Sequence, residues 1–117
     1  MIVKQSRKDI MAVVPVTKEN FEQEVLNSDL PVVVDVYASW CGPCQQMAPI
    51  FDEIERELRD SYKFVKLNVD EGRDLSIEYG VTSVPTFIFL KGKEVKGKET
   101  GYMSKEDLKT KINTHLK

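Results

Sequence analysis

The chain contains two cysteines, Cys41 and Cys44, which stand three residues apart in a Cys-Gly-Pro-Cys segment. This segment follows the nearly all-apolar residues 31–38, which predict a buried strand, and it precedes a helical pattern. A thiol at the start of a helix lies beside unpaired backbone N–H groups, which stabilise a thiolate. Because the thiolate is the attacking form in disulfide exchange and the second thiol lies one turn further on, the spacing predicts a redox-active dithiol.

Two other interpretations of the cysteine pair compete with this one. The pair could be half of a zinc site, but tetrahedral zinc needs four ligands, and the only histidine, His115, lies near the end of the last predicted helix. The thiols could also be inert, which a position at a helix start disfavours because such thiols ionise readily. We therefore expect no bound metal.

The composition limits the classes of function. With 41% hydrophobic and 31% charged residues, the 117-residue chain is long enough for one domain with its own core. A net charge of −2 gives no field that favours nucleic acid or an anionic membrane. No apolar stretch reaches the length of a membrane span. We therefore expect neither nucleic acid nor a membrane as a partner.

The N-terminal residues 1–10 are polar and lack the apolar core of a secretion signal. Two cysteines also cannot form a disulfide framework of the kind found in small secreted proteins. We therefore expect a cytoplasmic protein, in which residues 1–10 are a dispensable extension and residues 11–117 form the domain.

The elements that must position the cysteines alternate along the chain. Apolar and alternating runs predict strands at residues 11–16, 31–38, 62–69, 86–90 and 95–100, and helical spacing predicts helices at residues 17–27, 41–59, 73–79 and from 104 onward. The early strand–helix–strand units require parallel strands, and the turn at residues 91–94 predicts an antiparallel hairpin. The expected fold class is α/β, with a mixed five-stranded central sheet flanked by four helices.

Two charged residues on predicted strands have alternative interpretations. Asp35 is an acid in an otherwise apolar strand. It could be a structural hydrogen-bonding group or a partly exposed strand end, or a buried carboxyl of raised pKa that transfers protons beneath the thiols. Lys66, on the alternating strand, could simply point to water.

Two expectations concern charged groups on the helices. Helix 41–59 has an apolar stripe formed by Met47, Phe51, Ile54 and Leu58, and this pattern places Glu55 on the outer face. His115 is expected to lie in solvent at a helix end and is given no role.

The chain carries an ordered set of short segments: Val34-Asp35, Trp40-Cys41-Gly42-Pro43-Cys44, Ala48-Pro49, Lys66-Leu67-Asn68-Val69-Asp70, Val84-Pro85-Thr86 and Gly101. From about residue 11 to the C-terminus, it resembles the thioredoxin family. The resemblance implies a thioredoxin fold, a cis peptide at Val84–Pro85 and dithiol–disulfide oxidoreductase activity. Three positions depart from the usual family pattern: Gln45, Tyr37 and Thr100.

The resemblance also implies roles for individual residues. Asp35 is expected to transfer protons for the thiols, and Lys66 to tune its charge state. Pro85 is expected to cover the sulfurs, although it could be an ordinary edge-strand proline, and Trp40 could be mere core packing. A substrate-binding rim is expected from Trp40, Gly42, Pro43, Val84, Pro85 and Gly101.

The predicted activity is reduction of disulfides in other proteins, with Cys41 as nucleophile and Cys44 as the resolving thiol. The protein is expected to be a monomer with no bound cofactor. The resemblance implies that a flavoprotein thioredoxin reductase uses NADPH to reduce the Cys41–Cys44 disulfide back to the dithiol. Gly-Pro between the cysteines favours a reductant over an oxidant. Two alternatives remain, an oxidase or isomerase on the same fold and a non-enzymatic subunit of a larger complex.

Overall fold

The computed structural model describes residues 12–117, and the predicted extension at residues 1–10 lies outside them. Five strands and four helical segments follow one another in the predicted order. The strands are β1 (Val14–Val16), β2 (Val32–Tyr37), β3 (Lys63–Asn68), β4 (Thr86–Lys91) and β5 (Glu94–Thr100). The helical segments are the π-helical α1 (Glu22–Leu26), α2 (Gly42–Leu58), α3 (Arg73–Glu78) and α4 (Lys105–Leu116).

The strands form one mixed sheet in the order β1-β3-β2-β4-β5. β1 and β2 pair with β3 in parallel, whereas β4 runs antiparallel to both β2 and β5. β2 lies at the centre because its residues are apolar on both faces, as a strand covered on both sides requires. The predicted α/β fold, with a five-stranded sheet and four helices, is confirmed.

Alternation along the strands divides the core between the two faces of the sheet. Val34 and Val36 face α1 and α3, together with Phe21 and Val25, while Val33 faces α2 and α4. Asp35 lies on the same face as Val33, since side chains two residues apart on a strand share a face. The one acid of β2 is therefore directed towards α2, the helix that begins at the cysteines.

The N-terminal helix is shorter than predicted. Residues 17–20 form a turn, and the helical segment that follows closes an i→i+5 bond from Asn27 N to Glu22 O at 2.9 Å. The Asn20 side chain accepts from Thr17 N at 2.7 Å and donates to Pro15 O at 3.2 Å. These local side-chain bonds compete with a regular helical turn, which accounts for the difference.

The expectation that Glu55 lies on the outer face of α2 is wrong. Glu55 is 2% exposed and pairs with Arg59, whose Nη2 lies 2.8 Å from Glu55 Oε1. Burial raises the pKa of Glu55, and the charge of Arg59 opposes that shift. Position 55 lies one turn after Phe51 on the same side of the helix, so it follows the core stripe.

The expectation that His115 is a solvated helix end is also wrong. Its ring stacks on Phe89 with centroids 4.9 Å apart, and Nε2 lies 2.8 Å from Glu99 Oε2. The ring occupies the space beside Gly97, where an added Cβ would overlap it. His115 therefore joins the end of α4 to the edge strand β5.

We predict that Gly97→Ala destabilises the protein by about 1–3 kcal/mol, because the new methyl group displaces the His115 ring. Urea denaturation of four proteins measures the effect: the parent, Gly97→Ala, His115→Ala and the double variant. In the His115→Ala background the ring is gone, so Gly97→Ala should be neutral or slightly stabilising there. An equal destabilisation in both backgrounds would contradict this account of the contact.

Candidate active site

The two cysteines form a disulfide at the start of α2, with their Cα atoms 5.3 Å apart. Cys41 is the N-cap residue of α2, and its Sγ accepts a hydrogen bond from Cys44 N at 3.2 Å. This N–H is one of the helix-start donors that have no partner within the helix. In the reduced protein the same donor is placed to stabilise a thiolate on Cys41.

The loop before Cys41 is held by Gln45, one of the three positions that depart from the family pattern. Gln45 Nε2 donates to Ser39 O at 2.9 Å, and Cys41 N donates to Ala38 O at 3.2 Å. Gln45 therefore ties the first turn of α2 back to the segment that leaves β2. This role was not predicted from the sequence, since nothing in the local pattern pairs positions 39 and 45.

A second segment lies against the disulfide. The Val84–Pro85 peptide is cis, as the resemblance implies, and Val84 O lies 3.8 Å from Cys41 Sγ. Pro85 is buried, and its carbonyl accepts a hydrogen bond from Gly101 N at 2.8 Å. Gly101 has a φ of +103°, a conformation that residues with a side chain rarely adopt.

The hydroxyl groups of Thr86 and Thr100 hold the strands behind this segment. Their Oγ1 atoms lie 3.2 Å apart, and Thr86 Oγ1 also donates to Ser83 O at 2.7 Å. Thr100 is the position where the family often has an apolar residue. Here its hydroxyl group replaces apolar packing with a hydrogen bond across β4 and β5.

Trp40 lies on the surface rather than in the core. It is 71% exposed, and its Nε1 donates to Asp70 Oδ2 at 3.2 Å. Beside it, a groove of about 510 Å³ extends over α3. Its lining residues are Trp40, Val69, Asp70, Arg73, Ser76, Ile77, Val81, Thr82, Ser83 and Val84.

Of the six residues predicted to form the rim, the structure places Trp40 and Val84 in the lining of this groove. Gly42 and Pro43 are exposed in the first turn of α2, and Gly101 is half-buried behind Pro85. Ile77, which is 66% exposed in the groove, was not predicted. A signal for it existed, because Leu75 and Ile77 are two apart and cannot both face the core from one short helix.

Asp35 is buried beneath the disulfide. It is 5% exposed, and among residues 12–117 its Oδ1 has no hydrogen-bond partner. Burial raises its pKa to about 7, while the charge of Lys66 lowers the pKa and that of Asp52 raises it. A carboxyl group of this kind matches the proton-transfer interpretation better than that of a structural hydrogen-bonding group.

A cavity of about 110 Å³ joins Asp35 to the second cysteine. It is lined by Val13, Asp35, Tyr37, Cys44, Ala48, Phe51, Asp52 and Lys66. Lys66 is opposite Asp35 in the β2–β3 register, and it is exposed to solvent while it also lines the cavity. The two interpretations of Lys66, as a solvated residue and as a neighbour of the acid, therefore both describe it.

Within the part of the chain that the structure describes, no three histidine, cysteine or acidic side chains are grouped closely enough to hold a metal ion. In the same residues, no helix has the length and apolar character needed to cross a membrane.

Comparison with known proteins agrees with this geometry. The thioredoxin family model matches residues 12–114. The chain belongs to the thioredoxin family. It is 48% identical over 101 residues to a thioredoxin of Rickettsia typhi, an alignment that covers 86% of this chain and 96% of the relative. It is also 40% identical over 104 residues to a thioredoxin of Pseudomonas aeruginosa, covering 89% of this chain and 96% of the relative.

Family membership and the bonded cysteine pair together define the activity. The chain is a dithiol–disulfide oxidoreductase that acts as a protein-disulfide reductase, and its redox group is its own Cys41–Cys44 disulfide. The predicted family, fold and activity are thereby confirmed.

The raised pKa of Asp35 implies that the stability of the protein depends on pH. Since its folded-state pKa of about 7 exceeds the ordinary value of 3.8, ionising Asp35 opposes folding. The contribution of the protonated Asp35 to the free energy of unfolding is therefore fully present below about pH 4. It is lost as the pH rises through 7, by about 4 kcal/mol in all. Asp35→Asn removes this titration.

We therefore expect the oxidised Asp35→Asn variant to gain stability relative to the parent between pH 4 and pH 9. Guanidinium denaturation of both proteins across this range measures the difference. A difference in unfolding free energy that stays constant with pH would show that Asp35 titrates normally.

Proposed function

We propose that Cys41 attacks the disulfide of a substrate protein and that Cys44 resolves the mixed disulfide. The observation that carries this assignment is the different surroundings of the two sulfurs. Cys41 Sγ accepts from the first turn of α2 and lies near Val84 at the groove, whereas Cys44 lines the cavity with Asp35. One sulfur is thus placed for an incoming substrate and the other for proton transfer.

The electrons and protons of substrate reduction balance between the dithiol, Asp35 and the substrate disulfide. The Cys41 thiolate attacks one substrate sulfur, so that a mixed disulfide forms and the other substrate sulfur leaves as a thiolate. The Cys44 thiol gives its proton to the Asp35 carboxylate and then attacks Cys41 Sγ. The second substrate sulfur leaves, the substrate has gained two electrons, and the protein holds the Cys41–Cys44 disulfide.

Asp35 is suited to this proton transfer because its pKa is about 7. A general base is most effective when its pKa lies near the working pH, since it is then both ionised and basic. Lys66 supports the ionised form through its charge, as the direction of its effect on Asp35 indicates.

The groove beside Trp40 is proposed to hold the part of the substrate chain that flanks the substrate's own disulfide. Its walls are mostly apolar, and Val84 offers backbone groups next to Cys41. Gly42, Pro43, Pro85 and Gly101 are proposed to complete the contact around the sulfurs. A small contact of this kind suits transient binding to many partners.

The source of electrons and the compartment are also proposals. A monomer in the cytoplasm would be returned to the dithiol state by NADPH through a flavoprotein thioredoxin reductase, as the family resemblance implies. The oxidase alternative needs stabilising charge between the cysteines, where this chain has Gly-Pro. The single histidine contacts Phe89 and Glu99 instead. Cysteine-to-serine variants test the alternative of a non-enzymatic subunit, because scaffolding would survive them and reduction would not.

We predict that a limiting amount of iodoacetamide at pH 7 labels Cys41 of the reduced protein before Cys44, as peptide mass spectrometry would show. Cys44→Ser should trap substrates as mixed disulfides, because the resolving thiol is absent. Cys41→Ser is the matched control and should trap none. Preferential labelling of Cys44, together with trapping by Cys41→Ser, would reverse the assignment.

Asp35→Asn should slow the resolving step by up to about 10²-fold at pH 8, because the amide cannot accept the proton of Cys44. The initial attack by Cys41 should change little. Stopped-flow measurement of both steps with insulin between pH 6 and pH 9 separates the two rates. If resolution by the variant equals that of the parent throughout this range, Asp35 is not the base.

A further inference from the structure

Asp52 is a second carboxylate at the cavity beneath the disulfide. It lies on α2, is exposed to solvent, and lines the same cavity as Asp35 and Cys44. Lys66 is likewise exposed and lines the cavity. The cavity therefore reaches the surface between one negative and one positive side chain, while its inner end meets the buried acid and the resolving thiol.

We propose that Asp52 is a positioning residue for the resolving step, whose carboxylate at the cavity mouth opposes the effect of Lys66 on the buried Asp35. This inference rests on the proposed role of Asp35. Asp52 itself touches neither sulfur among the contacts described. It acts through the field that it exerts on Asp35.

The groups that face Asp35 come from three elements. α2 contributes Cys44 and Asp52, β3 contributes Lys66, and Tyr37 extends from β2 itself. On the other side, β4 places the apolar Phe87 opposite Asp35 in the register. Among residues 12–117, Asp52 and Lys66 are therefore the charged groups that line this cavity besides Asp35, and they act in opposite directions.

The direction of each effect follows from charge. The negative charge of Asp52 raises the pKa of Asp35, and the positive charge of Lys66 lowers it. If Asp52 were neutral, Lys66 would act unopposed and Asp35 would ionise at lower pH. Asp35 would then be a weaker base for the proton of Cys44.

The cavity also gives the transferred proton a route out. Its volume of about 110 Å³ is large enough for water, and the polar residues Asp35, Tyr37, Asp52 and Lys66 line it together with Cys44. After Asp35 takes the proton of Cys44, that proton can leave to solvent past Asp52 and Lys66. The buried acid is thereby returned to its starting state for the next cycle.

Glu53 offers a matched control. It is the next residue on α2 and is also an exposed carboxylate, but it pairs with Lys105 of α4 at 2.6 Å and does not line the cavity. Glu53→Gln therefore removes the same charge from the same turn. A general effect of net charge would appear in both variants, whereas an effect through the cavity would appear only in Asp52→Asn.

The test is a titration of the Asp35 carboxyl carbon by ¹³C NMR in the oxidised protein. We expect Asp52→Asn to lower the midpoint by about half a pH unit, Lys66→Met to raise it by a similar amount, and the double variant to titrate near the parent. Asp52→Glu, which keeps the charge, should restore most of the parent midpoint, and Glu53→Gln should leave it unchanged.

The same variants should shift the pH profile of mixed-disulfide resolution, measured with thionitrobenzoate bound to Cys41. The inference is overturned if Asp52→Asn titrates like the parent, or if Glu53→Gln shifts the midpoint equally. Asp35→Asn tests the underlying role separately, because its profile should lose the Asp35 titration altogether. An Asp35→Asn profile with the same midpoint and amplitude as that of the parent would refute that role whatever Asp52 does.

Discussion

The hydrogen bond from Cys44 N to Cys41 Sγ is the interaction on which the chemistry of this protein depends. It exists because three residues separate the end of β2 at Tyr37 from Cys41, which caps α2. The fold fixes this junction from both sides. β2 is paired with β3 and β4, and α2 is anchored to the sheet by Met47, Phe51 and Ile54.

The same junction places a destabilising group next to the cavity that Cys44 lines, where proton transfer is proposed. Asp35 is buried on the face of β2 that α2 covers, and its Oδ1 has no partner among the residues described. Such a carboxyl opposes folding when it ionises, but a pKa near 7 is also what a base for a thiol requires. The stability of the surrounding apolar core allows the chain to keep it.

The order of the elements, the mixed sheet and the cysteines at a helix start could be predicted, because each follows from local periodicity or spacing. What could not be predicted depends on neighbours distant in sequence. His115 contacts the sheet because α4 packs beside Gly97 and Phe89, and Asp52 lines the cavity because β2 and β3 bring Asp35 and Lys66 beneath it. Helical periodicity indicates which face of a helix is apolar, but it does not reveal which cavity a residue at the border of that face will line.

The activity of the protein requires that Cys41 and Cys44 form a reducing couple. Equilibration of the protein with defined ratios of reduced and oxidised glutathione, followed by acid quench and mass-tagging of free thiols, tests it most directly. We expect the dithiol form to give its electrons to oxidised glutathione, so that the Cys41–Cys44 disulfide prevails when the two glutathione forms are present in comparable amounts. A couple that stayed reduced under those conditions would be an oxidant and would contradict the account.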